Sequence, residues 1–150
     1  MLNELAPSIE HCLRQGGWYP GRHVDPTCWL KPLEQEGFSV SPPADQILRV
    51  LGGLRFDPPE SDDQAFRPAP FDFLPLEAGS GQRDIVEVWE GTLKRTLFPL
   101  GEVFRYMTLL VADDGRIYAG ETDTLHFIGD NIDRALETLI NAPSTPSVLP

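Results

Sequence analysis

Apolar residues recur at helical spacing in five stretches of the chain, and each stretch is bounded by glycine, proline or a capping residue. Asp25 and Ser41 precede prolines, an arrangement typical of helix starts. Paired glycines end the first and third stretches. Pro32 lies inside the second and allows a kink or an early break. These signals predict helices over residues 7–15, 26–36, 42–51, 83–97 and 132–140.

The helix over 83–97 has the clearest pattern. Glu90 and Lys94 are four residues apart, a spacing at which opposite charges stabilise a helix by about 0.2–0.5 kcal/mol. The pattern predicts one buried stripe formed by Ile85, Val88, Trp89, Leu93, Thr96 and Leu97.

Alternating or continuous apolar runs predict strands over 54–56, 71–76, 106–112, 116–120 and 124–128, with 38–40 as a shorter candidate. Asp113, Asp114 and Gly115 form a turn that joins two of these runs into a β-hairpin. Residues 57–70 are rich in proline and acids and are predicted to be a mobile loop. The expected fold is a single α+β domain over residues 1–140, with helices packed on a mainly antiparallel β-sheet and a flexible carboxy-terminal tail over 141–150.

A tight turn that contains two large aromatic residues follows the first predicted helix, and we call residues 17–22 the aromatic turn. The glycines allow unusual backbone angles, and both large rings are expected to pack against the domain. The last residue, an arginine, has two interpretations. Its five donors suit nearby carbonyls or a carboxylate within the fold, and they also suit a partner's carboxylate; the small surrounding glycines favour the first interpretation. We predict a structural motif formed by Gly17, Trp18, Tyr19, Pro20, Gly21 and Arg22.

The 150-residue chain carries a formal net charge of −11. Residues 1–56 hold six acids and five bases, a net of −1, whereas residues 57–150 hold seventeen acids and seven bases, a net of −10. Such a negative field disfavours nucleic acid and anionic membranes and attracts a basic protein. Solubility alone also explains an acidic composition, so both interpretations stay open.

No set of residues indicates catalysis. The three histidines lack zinc spacing, and no phosphate-binding glycine loop is present. Cys12 and Cys28 are expected to be buried free thiols. No apolar run reaches the length of a membrane span, and the amino terminus lacks a secretion signal. We therefore expect a cytoplasmic protein that is not an enzyme and needs no cofactor or metal.

Four short segments, in this order, resemble the third subfamily of the SUKH superfamily: residues 17–22, 51–54, 97–101 and 114–118, with 127–129 as a softer match. The bacterial members of that subfamily act mainly as immunity proteins against polymorphic toxins. The resemblance implies an α+β fold and binding of a cognate toxin, for instance a nuclease, as a monomer or weak dimer. A general protein-binding adaptor is the alternative.

The acids after residue 56 are the expected contacts to a basic toxin, and the 57–70 loop is the expected specificity element. An idle insertion with Phe66 folded back on the domain is the alternative for that loop. The predicted partner-binding residues are Asp57, Glu60, Asp62, Asp63, Phe66, Asp84 and Glu87.

Overall fold

A seven-stranded sheet forms the core of the structure, and neighbouring strands follow one another in chain order and pair antiparallel. The computed structural model describes residues 2, 5–57, 70–104, 106–141 and 147–148. The strands are β1 (Arg55–Phe56), β2 (Phe71–Asp72), β3 (Leu97–Val103), β4 (Met107–Ala112), β5 (Ile117–Glu121), β6 (Thr124–Gly129) and β7 (Ser147–Val148).

Helices in the described residues precede, interrupt and follow the strands. The Ser41 hydroxyl accepts from the Ala44 N–H, and the Asn131 side chain accepts from the Arg134 N–H, so both residues cap helices at the positions where the sequence predicts helix starts. The helices are α1 (Pro7–Gln15), α2 (Thr27–Gln35), α3 (Pro42–Leu51), α4 (Pro75–Gly79), α5 (Arg83–Leu93) and α6 (Ile132–Asn141).

Both faces of the central strands are covered, because nearly every residue of β3, β4 and β5 is buried. On one face, Gly79 of α4 lies against Pro99 and the Trp89 ring of α5 lies against Gly120. On the other side of the strands, Leu109 and Val111 are fully buried as well. α3 contacts β3 and β4, and α6 packs on β6 and α1. The predicted α+β fold with a mainly antiparallel sheet is confirmed.

The predicted helix over 83–97 is wrong at its end and in its stripe. Lys94 has a left-handed φ of 56° and ends α5, and Leu97 begins β3 instead. The helix buries Val86 and Trp89, while Val88 is 61% exposed. The face is set by Trp89, which enters the space above Gly120, where a side chain would overlap the indole.

The predicted ion pair between Glu90 and Lys94 does not form in the structure. Glu90 instead forms a salt bridge of 2.6 Å with Arg83 and accepts a hydrogen bond from the backbone N–H of Leu97. Glu90 thereby connects the start of α5 to the first residue of β3. The spacing of residues within a helix cannot predict the hydrogen bond to Leu97, because Leu97 lies beyond the end of α5.

Two predicted strands are shorter than expected or missing. Residues 38–40 form no strand, and the Phe38 ring instead packs edge-on against Phe98 with centroids 6.1 Å apart. The strand over 71–76 stops at Asp72, because the Asp72 carboxylate accepts from the Leu74 N–H and turns the chain. Pro75 then begins α4, at a position where helices favour proline.

The aromatic turn separates its two rings. Trp18 is buried, whereas Tyr19 is 55% exposed, so the expectation that both rings pack inward is wrong for Tyr19. Arg22 ties the turn to α3. Its guanidinium donates hydrogen bonds to the carbonyls of Val50 (2.7 Å) and Gly52 (2.9 Å) at the end of that helix. Both terminal guanidinium nitrogens thus bind within the fold, as the structural interpretation of Arg22 predicts.

Three further expectations concern the cysteines, the carboxy-terminal tail and membrane-spanning segments. Cys12 is buried as predicted, but Cys28 is exposed because it lies on the outer side of α2. Two residues of the predicted tail, Ser147–Val148, pair with β6 as β7. No helix within the described ranges is both long and apolar enough to cross a membrane.

Candidate partner-binding surface

A cleft of about 310 Å³ lies at the β1–β2 edge of the sheet. Phe56 and Phe71, on the two paired strands, bring their ring centroids to 5.1 Å and form its apolar base. We call it the acidic cleft, because four of its lining side chains carry carboxylates and one carries a guanidinium. Its lining residues are Arg55, Phe56, Asp57, Pro70, Phe71, Asp72, Glu77 and Glu102.

Asp72 is fixed in the wall of the acidic cleft by backbone contacts. Its Oδ1 accepts hydrogen bonds of 3.1 Å from the N–H groups of Leu74 and Glu102. Gly101 of β3 passes so close to β2 that a side chain there would overlap the Asp72 carbonyl. This close approach of β2 and β3 places Asp72 and Glu102 side by side.

The carboxylates of the acidic cleft repel one another. Burial raises the pKa of Asp72 above its ordinary value, although the two backbone hydrogen bonds oppose the shift. Burial also raises the pKa of Glu102, and the charges of Asp72 and Glu77 add to that effect. Arg55 approaches Glu77 at 3.6 Å, but both side chains are exposed and such a pair contributes little. A cationic group that enters the acidic cleft would therefore relieve repulsion.

The acidic cleft offers a concentration of negative charge. There is no Ser, Cys or His among the described residues that line it. Among the described residues, no three His, Cys, Asp or Glu side chains are grouped so that they could hold a metal ion.

The family model described as SUKH-3 immunity protein matches residues 5–142. That range spans the aromatic turn, all of the sheet from β1 to β6 and the six helices, apart from positions the structure does not describe. The chain belongs to the SUKH-3 immunity protein family. The resemblance predicted from the four motifs is confirmed. No curated protein and no solved structure matches the chain.

Membership of an immunity protein family gives the chain a role in immunity to a toxin, and a toxin is the partner that such a role requires. Two of the segments that carry the resemblance, residues 17–22 and 97–101, lie in the framework of the fold. The aromatic turn closes onto α3, and Leu97, Phe98 and Leu100 of β3 are buried in the core. The acidic cleft lies at the edge of this buried framework, at β1, β2 and the end of β3.

The predicted partner-binding residues fall into three groups. Asp57 is exposed and lines the acidic cleft. Asp84 and Glu87 are exposed on α5, on the same outer side as Val88, and do not line the cleft. The remaining four lie outside the described residues: Glu60, Asp62, Asp63 and Phe66.

The sequence interpretation missed Asp72, Glu77 and Glu102. They come from β2, α4 and β3, so no local spacing connects them. One signal was present. Glu102 is the single charged residue of the strand Leu97–Val103, and Asp72 lies between Phe71 and Phe73. An isolated acid in a buried strand indicates a position where the strand meets solvent or a partner.

Proposed function

We propose that the chain neutralises the toxic domain of a cognate polymorphic toxin by forming a stoichiometric complex that covers the toxin's active or substrate-binding surface. Membership of the SUKH-3 immunity protein family carries this proposal. The protein acts by binding and not by catalysis. Protection of the producing cell requires action in the compartment where the toxin is made or delivered, which for this chain we take to be the cytoplasm.

The binding surface is acidic, and the toxin surface that it covers is basic. The acidic cleft and a net charge of −11 support this part of the proposal. Opposite charges accelerate the encounter of two proteins and select against wrong partners. A toxin that acts on nucleic acid is one class with a basic surface, because it must bind phosphates. The exposed acids of α5 stay predicted rim charges that guide the toxin towards the acidic cleft, and the 57–70 segment, including Phe66, stays a predicted contact.

The test is an inhibition titration. We expect the toxin to be the carboxy-terminal domain of a protein encoded immediately upstream of this chain's gene, and the toxic activity of that domain is followed while this protein is added. Stoichiometric binding predicts that activity falls linearly and reaches zero near one equivalent. An unrelated protein of similar size and net charge is the control for non-specific capture of a basic toxin.

Two results would contradict the proposal. Full loss of toxin activity at a small fraction of an equivalent would indicate that the chain modifies the toxin catalytically. Unchanged activity at a large excess would show that this toxin is not the partner and would remove the link to the neighbouring gene.

A further inference from the structure

Two exposed aromatic side chains lie side by side at the turn between β3 and β4. Phe104 is 44% exposed and Tyr106 is 65% exposed, and their ring centroids are 6.1 Å apart. We call these two residues the aromatic tip. Adjacent exposed aromatic rings mark contact sites, because they offer a large apolar area that water solvates poorly.

The backbone of the aromatic tip adopts a conformation that a phenylalanine rarely takes. Phe104 has a φ of 57°, in the left-handed region where a side chain is disfavoured. The N–H of Phe104 donates to the carbonyl of Pro70 (3.0 Å), and the N–H of Tyr106 donates to Val103 (3.3 Å). Strained positions of this kind cluster at functional sites, where the surrounding structure holds them.

The aromatic tip adjoins the acidic cleft. Pro70, which accepts the hydrogen bond from Phe104, lines the acidic cleft, and so does Glu102, two residues before Phe104. Pro70 and Glu102 therefore place the aromatic tip next to the acidic cleft at this edge of the sheet.

We propose that the aromatic tip and the acidic cleft together form the surface that binds the cognate toxin domain, and that the toxin enters it with arginine side chains. This inference rests on the proposed function. A guanidinium stacks on aromatic faces and forms paired hydrogen bonds with carboxylates, whereas an ammonium group does so less well. A site that offers both kinds of partner side by side thus selects arginine over lysine.

The competing exposed surface is the outer side of α5, where Val88 lies near Asp84 and Glu87. Energetic hot spots of interfaces are enriched in Trp, Tyr and Arg, and valine is under-represented among them. The acidic cleft is also concave and desolvates its carboxylates in part, whereas Asp84 and Glu87 are exposed. The aromatic tip is therefore the better anchor.

The test is the double variant Phe104→Gly/Tyr106→Ala, with Tyr19→Ala as the matched control at an exposed aromatic elsewhere. Glycine suits the left-handed φ at 104, so the fold is expected to persist. Titration calorimetry with the upstream-encoded toxin domain should show affinity at least tenfold weaker for the double variant and unchanged for Tyr19→Ala. Thermal melts should match wild type. Tyr106→Ala alone repeats the test if the double variant melts early.

A peptide competition tests the preference for arginine. Hexa-arginine should displace the toxin domain from the wild-type protein at a lower concentration than hexa-lysine, which has equal charge. The advantage of hexa-arginine should shrink in the double variant, which lacks the two rings and keeps the carboxylates. Equal potency of the two peptides on wild type would overturn the proposed preference.

The outcomes separate the two proposals. If the wild-type chain neither binds nor inhibits the toxin domain, the proposed function fails and this inference fails with it. If wild type binds but both tip variants bind equally well, the inference is overturned while the function stands. Sedimentation that shows a wild-type dimer lost in the double variant, with toxin affinity intact, would overturn it in favour of self-association through the aromatic tip.

Discussion

At the scale of single residues, neighbours in the aromatic turn have opposite surroundings. Trp18 is 7% exposed and belongs to the core cluster, while Tyr19 faces solvent. Arg22 donates two hydrogen bonds to carbonyls at the end of α3, so its contacts lie within the fold. The turn therefore combines one core residue, one arginine that binds within the fold and one exposed ring.

We predict that Trp18→Ala destabilises the protein by about 3–5 kcal/mol, because it empties a core site that a large ring fills. That is a large part of the roughly 5–15 kcal/mol that such a domain has. Tyr19→Ala is the matched control and should change the free energy of unfolding by no more than about 0.5 kcal/mol. Urea denaturation measures both. A Trp18→Ala protein that unfolds like wild type yet fails to bind the toxin would assign Trp18 to the interface instead.

Asp72 gives a prediction about pH. Its raised pKa means that the folded state holds the proton more tightly than the unfolded chain does. Its contribution to stability therefore improves as pH falls through the raised pKa and levels off below the ordinary value. Asp72→Asn keeps an acceptor oxygen for the N–H groups of Leu74 and Glu102 and lacks the charge.

We expect Asp72→Asn to be more stable than wild type at neutral pH, with the difference shrinking as the pH is lowered. Chemical denaturation at a series of pH values measures the difference, in which the lowered pKa of Asp25 cancels because it is common to both proteins. A difference that stays constant with pH would show that Asp72 does not titrate in this way.

At the scale of elements, we predict opposite effects on stability for a glycine-to-alanine substitution at two positions. Gly101→Ala places a methyl group against the Asp72 carbonyl and pushes β2 away from β3, so we expect a loss of about 1–3 kcal/mol or more. Gly91 lies on the exposed side of α5 with open space around it, so Gly91→Ala should gain up to about 1 kcal/mol from helix propensity. Denaturant unfolding of both variants tests the pair, and equal effects would contradict the packing of β2 on β3.

Local signals predicted the elements that have local causes. Ser41 and Asn131 identify the starts of α3 and α6, and Asp113 with Gly115 identifies the hairpin turn. The face of α5 depends on the space above Gly120, which comes from another element. The acidic cleft likewise depends on β pairing that brings together Asp72 and Glu102, thirty positions apart in the chain. Neither could be obtained from spacing alone.

At the scale of the whole molecule, acidic side chains can act on a toxin in two ways, through the long-range field and through direct contact. All acids add to a negative field that reaches about one Debye length, roughly 10 Å at 0.1 M salt. Only acids in direct contact with the toxin also slow its release. The rates of association and dissociation can therefore separate steering from contact.

Two charge-matched double variants make that separation. Asp57→Asn/Glu77→Gln removes two charges from the acidic cleft, and Asp84→Asn/Glu87→Gln removes two from α5. We predict that both slow association with the toxin domain by a few-fold at 0.1 M salt, and that this effect shrinks at 1 M, where the Debye length is about 3 Å. Only the cleft variant should also dissociate faster, because its side chains face the bound toxin. Surface plasmon resonance at the two salt concentrations measures these rates. Association that ignores both salt and substitution would rule out electrostatic steering, and faster dissociation of the α5 variant alone would move the interface to α5.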